Sequence, residues 1–540
     1  MCRNHRQNKT KPGNHFEKRK NQRIEKSISF DFIYKYLLPG ILFFNNMKKQ
    51  SKSSLARHSK APLFDTLMGH AERNVISFHC PGHKNGRSID KELKDYTGEE
   101  VYKFDVTVFD EVDSLHDPVG PIKKAQELMA DAYKVKNSFF LVNGTSVGNM
   151  AMFLAACDPG DSVIVSRSSH KSIMAGVILS GVWPIWIQPK IDQNLDIIFN
   201  TSYDQVKEAL DRYPEAKAVF ITSPTYNGIV PDLAKITDLC HRRGKIVMID
   251  EAHGPHLAFN KNLPQSAVNA GADLCVQSTH KILSALSQGS VLHCNNSKFI
   301  DINRVKKVVS MLQTTSPNYL TLASIDLARR QAVVHGAEML DKVIESCEWG
   351  RSYINGDISS MKCLTRPEIK KLGYDLDLTK MTVNVTKTGL SGYEIESILA
   401  KEYNIQLDYA DIFNLVAISG IGTEKSDVEA FVKALKEISG KYHGKQKNWI
   451  LRIPSLATEM VMAPRDVYLS NNTKRLSLKK AVGHVAAQTL TPYPPGIPVV
   501  IPGERITQEI CDYLIDMSSK DIRISGQETE MLKTVKVFTN

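Results

Sequence analysis

The sequence predicts an α/β protein with a mostly parallel sheet, followed by a smaller α+β region. Three observations carry this. Between about residues 137 and 293, short apolar runs alternate with segments of helical spacing, the order that builds a parallel sheet covered on both faces. Polar, chemically versatile residues cluster just after those runs, where such sheets bind ligands. Beyond about residue 360 the pattern shortens to brief strands and helices. The 540 residues are 42% hydrophobic and 24% charged, ordinary for a globular protein with ample core.

Taken in order, residues 1–26 are basic and polar, and residues 28–44 are apolar but broken by Asp31, Lys35, Pro39 and Gly40. That is not the clean core of a signal peptide. Residues 1–46 are expected to be a disordered or spurious leader, with the working protein starting near Met47. Residues 1–50 hold 12 Lys/Arg against 3 Asp/Glu, and the remainder is nearly balanced, so the net charge of +11 is a property of the leader. No nucleic-acid recognition motif accompanies it. An N-terminal arm is expected over 47–85, a large domain over 86–330 and smaller C-terminal domain structure over 331–540. No apolar run of 18 residues predicts a membrane span. Nine scattered cysteines without a C-x-x-C pair fit free thiols in a reducing, cytoplasmic setting and no metal site.

Helical spacing covers Pro62–Ala71, and a Pro-Gly turn follows at His79–Lys84. An acidic loop, Asp105–Pro121, either meets a cationic substrate or is solvated; a helix then spans Ile122–Tyr133. Phe139–Asn149 reads as strand, small-residue turn and helix start, where Thr145 and Ser146 with backbone N–H groups can cradle a phosphate. Strands are predicted at Ser162–Ser166, Pro184–Gln188, Lys217–Thr222, Lys245–Ile249, Ala272–Val276 and Gly289–His293. Helices are predicted at His170–Leu179, Tyr203–Tyr213 and Asp232–Arg243. One long helical region covers about 321–350. Strands Met381–Thr386 and Leu415–Ser419 then alternate with helices Tyr393–Tyr403 and Lys425–Ile438. Residues 440–475 read as polar loop, Leu476–Gln488 as helix, and Thr491–Pro498 as a stiff proline-rich loop.

Two strand ends stand out. Asp250 closes one apolar run, and Ser278-Thr279-His280-Lys281 follows a later one, 31 positions on (281 minus 250). Each alone is an ordinary surface residue. Together with Asn143–Ser146 at a third strand end they suit pyridoxal phosphate: Lys281 forms the Schiff base, and Asp250 keeps the ring nitrogen protonated so that the ring draws electrons.

The stretches His79–Lys84, Asp113–Pro121, Phe139–Asn149, His170-Lys171-Ser172, Asp250–Gly254, Ser278–Lys281, Thr314–Pro317 and Pro492–Glu504 occur in one order. In that order the chain, from about residue 60 onward, resembles the bacterial Orn/Lys/Arg decarboxylase family, in its short form without an N-terminal response-regulator-like domain. The resemblance implies an aspartate-aminotransferase-like large domain (fold type I) and decarboxylation of a basic amino acid, arginine first, in polyamine metabolism. It implies that His170 stacks on the cofactor ring, with His253 close by. It puts Thr145, Ser146, Ser278 and His280 around the phosphate, and brings Thr314 or Thr315 from a neighbouring subunit, hence a homodimer with shared sites. Asp113, Asp117 and Glu504 are candidate partners for a distal substrate cation. The alternative is another fold-type-I enzyme, such as an aminotransferase. That would want a small-domain arginine to hold the α-carboxylate, and Arg366, Arg452 and Arg465 lie in no assignable motif. A non-catalytic relative would be expected to lack Lys281 or Asp250.

Overall fold

The computed structural model describes residues 54–192, 196–442, 458–493, 497–519, 522–526 and 532–539. The expected leader and Arg452 lie outside them, as do residues 494–496 of the proline-rich loop. The chain divides into two units, Met1–Arg57 and His58–Asn540. Of the first, only the helical residues 54–57 are described.

The second unit is built on a seven-stranded sheet: β1 (Asn137–Leu141), β2 (Ser162–Ser166), β3 (Trp183–Ile187), β4 (Ala218–Thr222), β5 (Ile246–Asp250), β6 (Leu274–Gln277) and β7 (Ser290–Cys294). Their spatial order is β1-β7-β6-β5-β4-β2-β3. Strands β2 to β6 run parallel, and β7 is antiparallel to both its neighbours. The parallel sheet expected from the alternation is therefore present with one reversed strand. Side chains of β5 alternate between two cores, as a strand buried on both faces requires. Val247 and Ile249 join the helices 121–133, 203–212 and 233–242 on one face. Ile246 and Met248 join the helices 144–156, 172–180 and 302–312 on the other.

Register sets the site. Thr222 pairs with Asp250 and Asp250 with Val276, so the carboxyl ends of β4, β5 and β6 finish level. Gly148 lets the helix Gly144–Ala156 lie directly on that edge: a Cβ there would stand 2.3 Å from Val276 Cγ2.

The long helical stretch is two helices, Tyr319–Val334 and Gly336–Asp357, separated at His335. A four-stranded antiparallel sheet follows, in the order 362–363, 380–384, 414–418, 409–410, with its own core. Leu476–Gln488 is not the expected helix. A strand (Thr473–Ser477) and a four-residue helix (Leu478–Ala481) are followed by extended bridges from Val485 to Arg505 and Ala486 to Val537. Gly483, at φ +82°, turns the chain out of helical geometry there. The segment expected to be loop carries a helix at Pro464–Tyr468.

Candidate active site

Lys281 enters the edge of the sheet from a single helical turn, Thr279–Ile282, directly after β6. Its Nζ lies 2.8 Å from His253 Nε2. Burial lowers the amine below the ordinary lysine range, opposed by the negative charges of Asp250 and Asp408. His253 is buried and held well below the usual imidazole range, first by burial and then by the nearby Lys380 and Lys281. A neutral imidazole beside an amine that sheds its proton readily suits proton exchange between them.

Asp250 is only 2% exposed. Its Oδ1 accepts the N–H of Ala252 at 3.0 Å and its Oδ2 accepts Asn149 Nδ2 at 2.9 Å. No Lys or Arg pairs with it among the described residues, so the buried carboxylate still lacks a direct cationic partner. Asn149 also donates to Ser172 Oγ at 2.9 Å, and Ser172 lies 2.8 Å from His170 Nδ1. The same Nδ1 accepts the Ser172 N–H at 3.2 Å, and burial lowers the imidazole below its ordinary range. On the other side Ser278 Oγ donates to Thr145 Oγ1 at 3.2 Å, joining the end of β6 to the first turn of Gly144–Ala156. Asn143 does not cap that helix, and Ser146 stands in its first turn. His280 is tied by Nδ1 to the Gly289 carbonyl at 2.9 Å.

The structure thus brings together Lys281, His253, Asp250, His170, Thr145, Ser146, Ser278 and His280 at the ends of β5 and β6. Thr314 and Thr315 are exposed and make no side-chain contact with this group; the Thr314 carbonyl accepts His116 Nε2 at 2.8 Å. Two substrate candidates need correcting. The Asp113 carboxylate accepts backbone N–H bonds from Ser114, Val119, Gly120, Ile122 and Lys123, so it folds the acidic loop onto a helix start. Glu504 is locked in a bidentate pair with Arg167, at 2.6 and 2.8 Å, with both side chains buried. A carboxylate spent in this way has no free oxygen for a substrate cation. Asp117 is exposed, in a groove beside Lys123, Lys306 and Lys307 that includes none of the clustered residues.

Sequence reasoning missed four contributors. Asn149 follows Thr145 by four residues on one helix, so its shared face was readable. Lys380, Tyr226 and Asp408 had no local signal. Lys380 is fully buried and donates to the carbonyls of Thr225 (3.1 Å) and Tyr226 (3.3 Å). The Tyr226 ring lies 4.7 Å from that of His253 and 5.4 Å from that of Tyr409, and Lys281 Nζ stands 5.9 Å from its centroid.

The family model described as Orn/Lys/Arg decarboxylase, major domain, matches residues 61–427, and that of the C-terminal domain matches 446–536. The chain belongs to the Orn/Lys/Arg decarboxylase family. This decarboxylase is 36% identical to the arginine decarboxylase of Halalkalibacterium halodurans, over 90% of this chain and 99% of that one. It is 36% identical to the arginine decarboxylase of Bacillus subtilis, over 89% and 98%. Its fold is that of the lysine decarboxylase LdcF of Francisella novicida (TM-score 0.77, 22% identity, 88% of this chain and 81% of that one). Membership sets aside the aminotransferase alternative. Arg366, moreover, is engaged by both oxygens of Asp375.

Pyridoxal 5′-phosphate is the cofactor of this decarboxylase, and the residues present fit it. Asp250 is a buried carboxyl group without a direct cation among the described residues, Lys281 a half-buried amine, and the helix start at Gly144 an uncapped set of N–H groups beside two hydroxyls. Asn149 Oδ1 and His253 Nδ1 are buried without a hydrogen-bond partner among the described residues, so the wall of the site carries polar atoms that a ligand can satisfy.

Proposed function

We propose that this enzyme converts arginine to agmatine and CO2, taking up one proton per turnover, and that it supplies polyamine synthesis in the cytoplasm. The observation that carries the chemistry is the pairing of Lys281 with His253 one strand away from Asp250, itself aimed by Asn149. Arginine is favoured over lysine and ornithine because the relatives that match nearly end to end at 36% identity are arginine decarboxylases.

In this reading Lys281 would hold the cofactor through Nζ, Asp250 would face its ring nitrogen, His170 would cover the ring, and Thr145, Ser146, Ser278 and His280 would surround the phosphate. Pyridoxal phosphate held there would supply an electron sink for cleavage of the bond from Cα to the carboxylate. The protein's share is electrostatic and positional. Asp250 is positioned by two donors, one of them a side chain that also donates to Ser172. The Lys281–His253 pair delivers the proton to Cα, since the two lie 2.8 Å apart and burial lowers the proton affinity of each.

The site is proposed to be completed in a homodimer, Thr314 or Thr315 reaching the partner's phosphate. The segment around the Pro-Gly turn supports assembly: Ile76 is 77%, Phe78 95% and Tyr96 92% exposed, an apolar display unusual for an isolated chain.

The test is product analysis with purified holoenzyme given arginine, lysine and ornithine separately, beside Lys281→Ala. Agmatine and CO2 from arginine in wild type, with none from the variant, is the expected result. Cadaverine or putrescine as the main product would reassign the substrate. CO2 from none of the three would end this reading.

A further inference from the structure

With Asp113 and Glu504 committed elsewhere, the cleft still holds one carboxylate with nothing to do. Asp408 stands at the start of the small-sheet strand Tyr409–Ala410. It is exposed, and it makes no hydrogen bond or ion pair among the described residues. Its negative charge nevertheless bears on three groups lining the cleft, Lys281, Lys380 and Tyr226. Only Asp250 acts more strongly on Lys281 among the acids, and Asp250 lies at the sheet edge below. Asp408 is therefore within electrostatic reach of the reacting amine while belonging to the opposite wall.

That wall is aromatic. Tyr409, next in sequence, stacks on Tyr226 with ring centroids 5.4 Å apart and planes at 30°. Lys281 Nζ already stands 5.9 Å from the Tyr226 centroid, so this ring faces a cation in the cleft. The phenol of Tyr493, from the strand Thr491–Tyr493 of the C-terminal segment, bears on both Tyr226 and Tyr409. The proline-rich loop therefore reaches the cleft through its tyrosine.

A free carboxylate next in sequence to a ring stacked on Tyr226, whose own centroid is 5.9 Å from Lys281 Nζ, forms a receptor for an organic cation. Charge and ring faces act together, and both strengthen when a ligand displaces water. We propose that Asp408, with Tyr226 and Tyr409, binds the distal ammonium or guanidinium of the substrate and so selects basic amino acids. This rests on the decarboxylase reading above and names its specificity determinant. Asp408 is a recognition residue and takes no part in bond breaking.

The experiment uses the holoenzyme as wild type, Asp408→Asn and Asp408→Glu. Three quantities are read: KM and kcat for arginine, and the dissociation constant of agmatine by calorimetry, which requires no turnover. Loss of a hydrogen-bonded charge partner is expected to raise both KM and the agmatine constant by about 10- to 100-fold in Asp408→Asn, with kcat within about threefold. Asp408→Glu is expected to recover part of the loss. The absorbance–pH midpoint of the bound cofactor is expected to fall in Asp408→Asn, because one negative charge near Lys281 is removed, and this fall accompanies the loss of affinity. Unaltered KM and agmatine affinity in Asp408→Asn would overturn the proposal. So would a displaced absorbance–pH midpoint with KM unchanged, because Asp408 would then act on Lys281 and not on substrate. The two readings fail separately. A wild type that turns over no basic amino acid, yet binds agmatine in an Asp408-dependent manner, loses the reaction and keeps the cation site. A wild type that makes agmatine, with Asp408→Asn indistinguishable from it, keeps the reaction and loses this site.

Discussion

Lys380 is a full-length cationic side chain with 1% of its surface exposed, and burial brings its amine down to about 7. Asp377 offsets part of that; His256 and Lys380 in turn hold the Asp377 carboxyl down at about 2, against its own burial. A lysine depressed in the folded state binds its proton more weakly there than in the unfolded chain. Between about pH 7 and the ordinary lysine value near 10.5, the unfolded chain holds more protons, so stability rises with pH across that window. Lys380→Met removes this dependence. The difference in unfolding free energy, wild type minus variant, is expected to grow from pH 7 to pH 10, as measured by urea titration at four pH values. Glu251, beside Asp250, is displaced the other way, pushed up to about 8 by burial, and hydrogen-bonds to Ala267 N–H and Gln277. Legibility in the sequence followed from this kind of environment. Lys281 and Asp250 could be found because strand ends are visible in a one-dimensional pattern and chemistry gathers there. Lys380 and Asp408 could not, because a lysine within a strand and an aspartate before one look solvated until the fold shows what surrounds them. Asp113 and Glu504 misled for the converse reason: acidic side chains in loops suggest free charge, whereas here they satisfy backbone donors and an arginine.

At the scale of elements, the helix Gly144–Ala156 does the most positioning. It carries Thr145 and Asn149 on one face and rests on β1 and β6 through Gly148. A methyl group at Gly148 would meet Val276 Cγ2 at 2.3 Å and Leu141 Cδ1 at 2.9 Å, so the helix must lift or the strand must yield. Gly148→Ala is expected to cost about 1–3 kcal/mol by overpacking and to weaken pyridoxal phosphate binding, because Thr145 and Asn149 move with the helix. Thermal unfolding of the apoprotein and cofactor titration check the two parts; unchanged values in both would show that the contact relaxes freely. The β1-to-β7 pattern was legible in the sequence because strands buried on both faces are dense in Val and Ile. The stretch Leu476–Gln488 was not. Its apolar residues fit helical spacing as well as extended bridges, and tertiary pairing with Arg505 and Val537 decided between them.

For the whole molecule, the proposed sharing of sites makes a prediction that no single variant can make. In a mixed dimer of Lys281→Ala and Thr314→Ala/Thr315→Ala subunits, the two lesions fall in different sites if the threonines act within one chain, and in the same site, leaving the other intact, if they act across the dimer. Each is expected to be nearly inactive alone. Unfolded together and refolded as a mixture, they are expected to regain roughly a quarter of wild-type activity, since half of randomly paired dimers then hold one intact site. No recovery on mixing, with dimers demonstrated by light scattering, would place the threonines in their own subunit's chemistry or in none.

The pair Arg167–Glu504 joins positions 337 residues apart. Removing either partner from such a buried pair typically costs about 3–5 kcal/mol, because the other charge is stranded. During synthesis the arginine necessarily exists before its partner does. The end of β2 leaves the ribosome long before Glu504 is made, and its arginine waits in water. A hydrophobic residue there would complete the interface as well but would leave a sticky edge on the half-made chain. The guanidinium keeps that edge soluble while it waits and becomes a clamp when the last segment arrives.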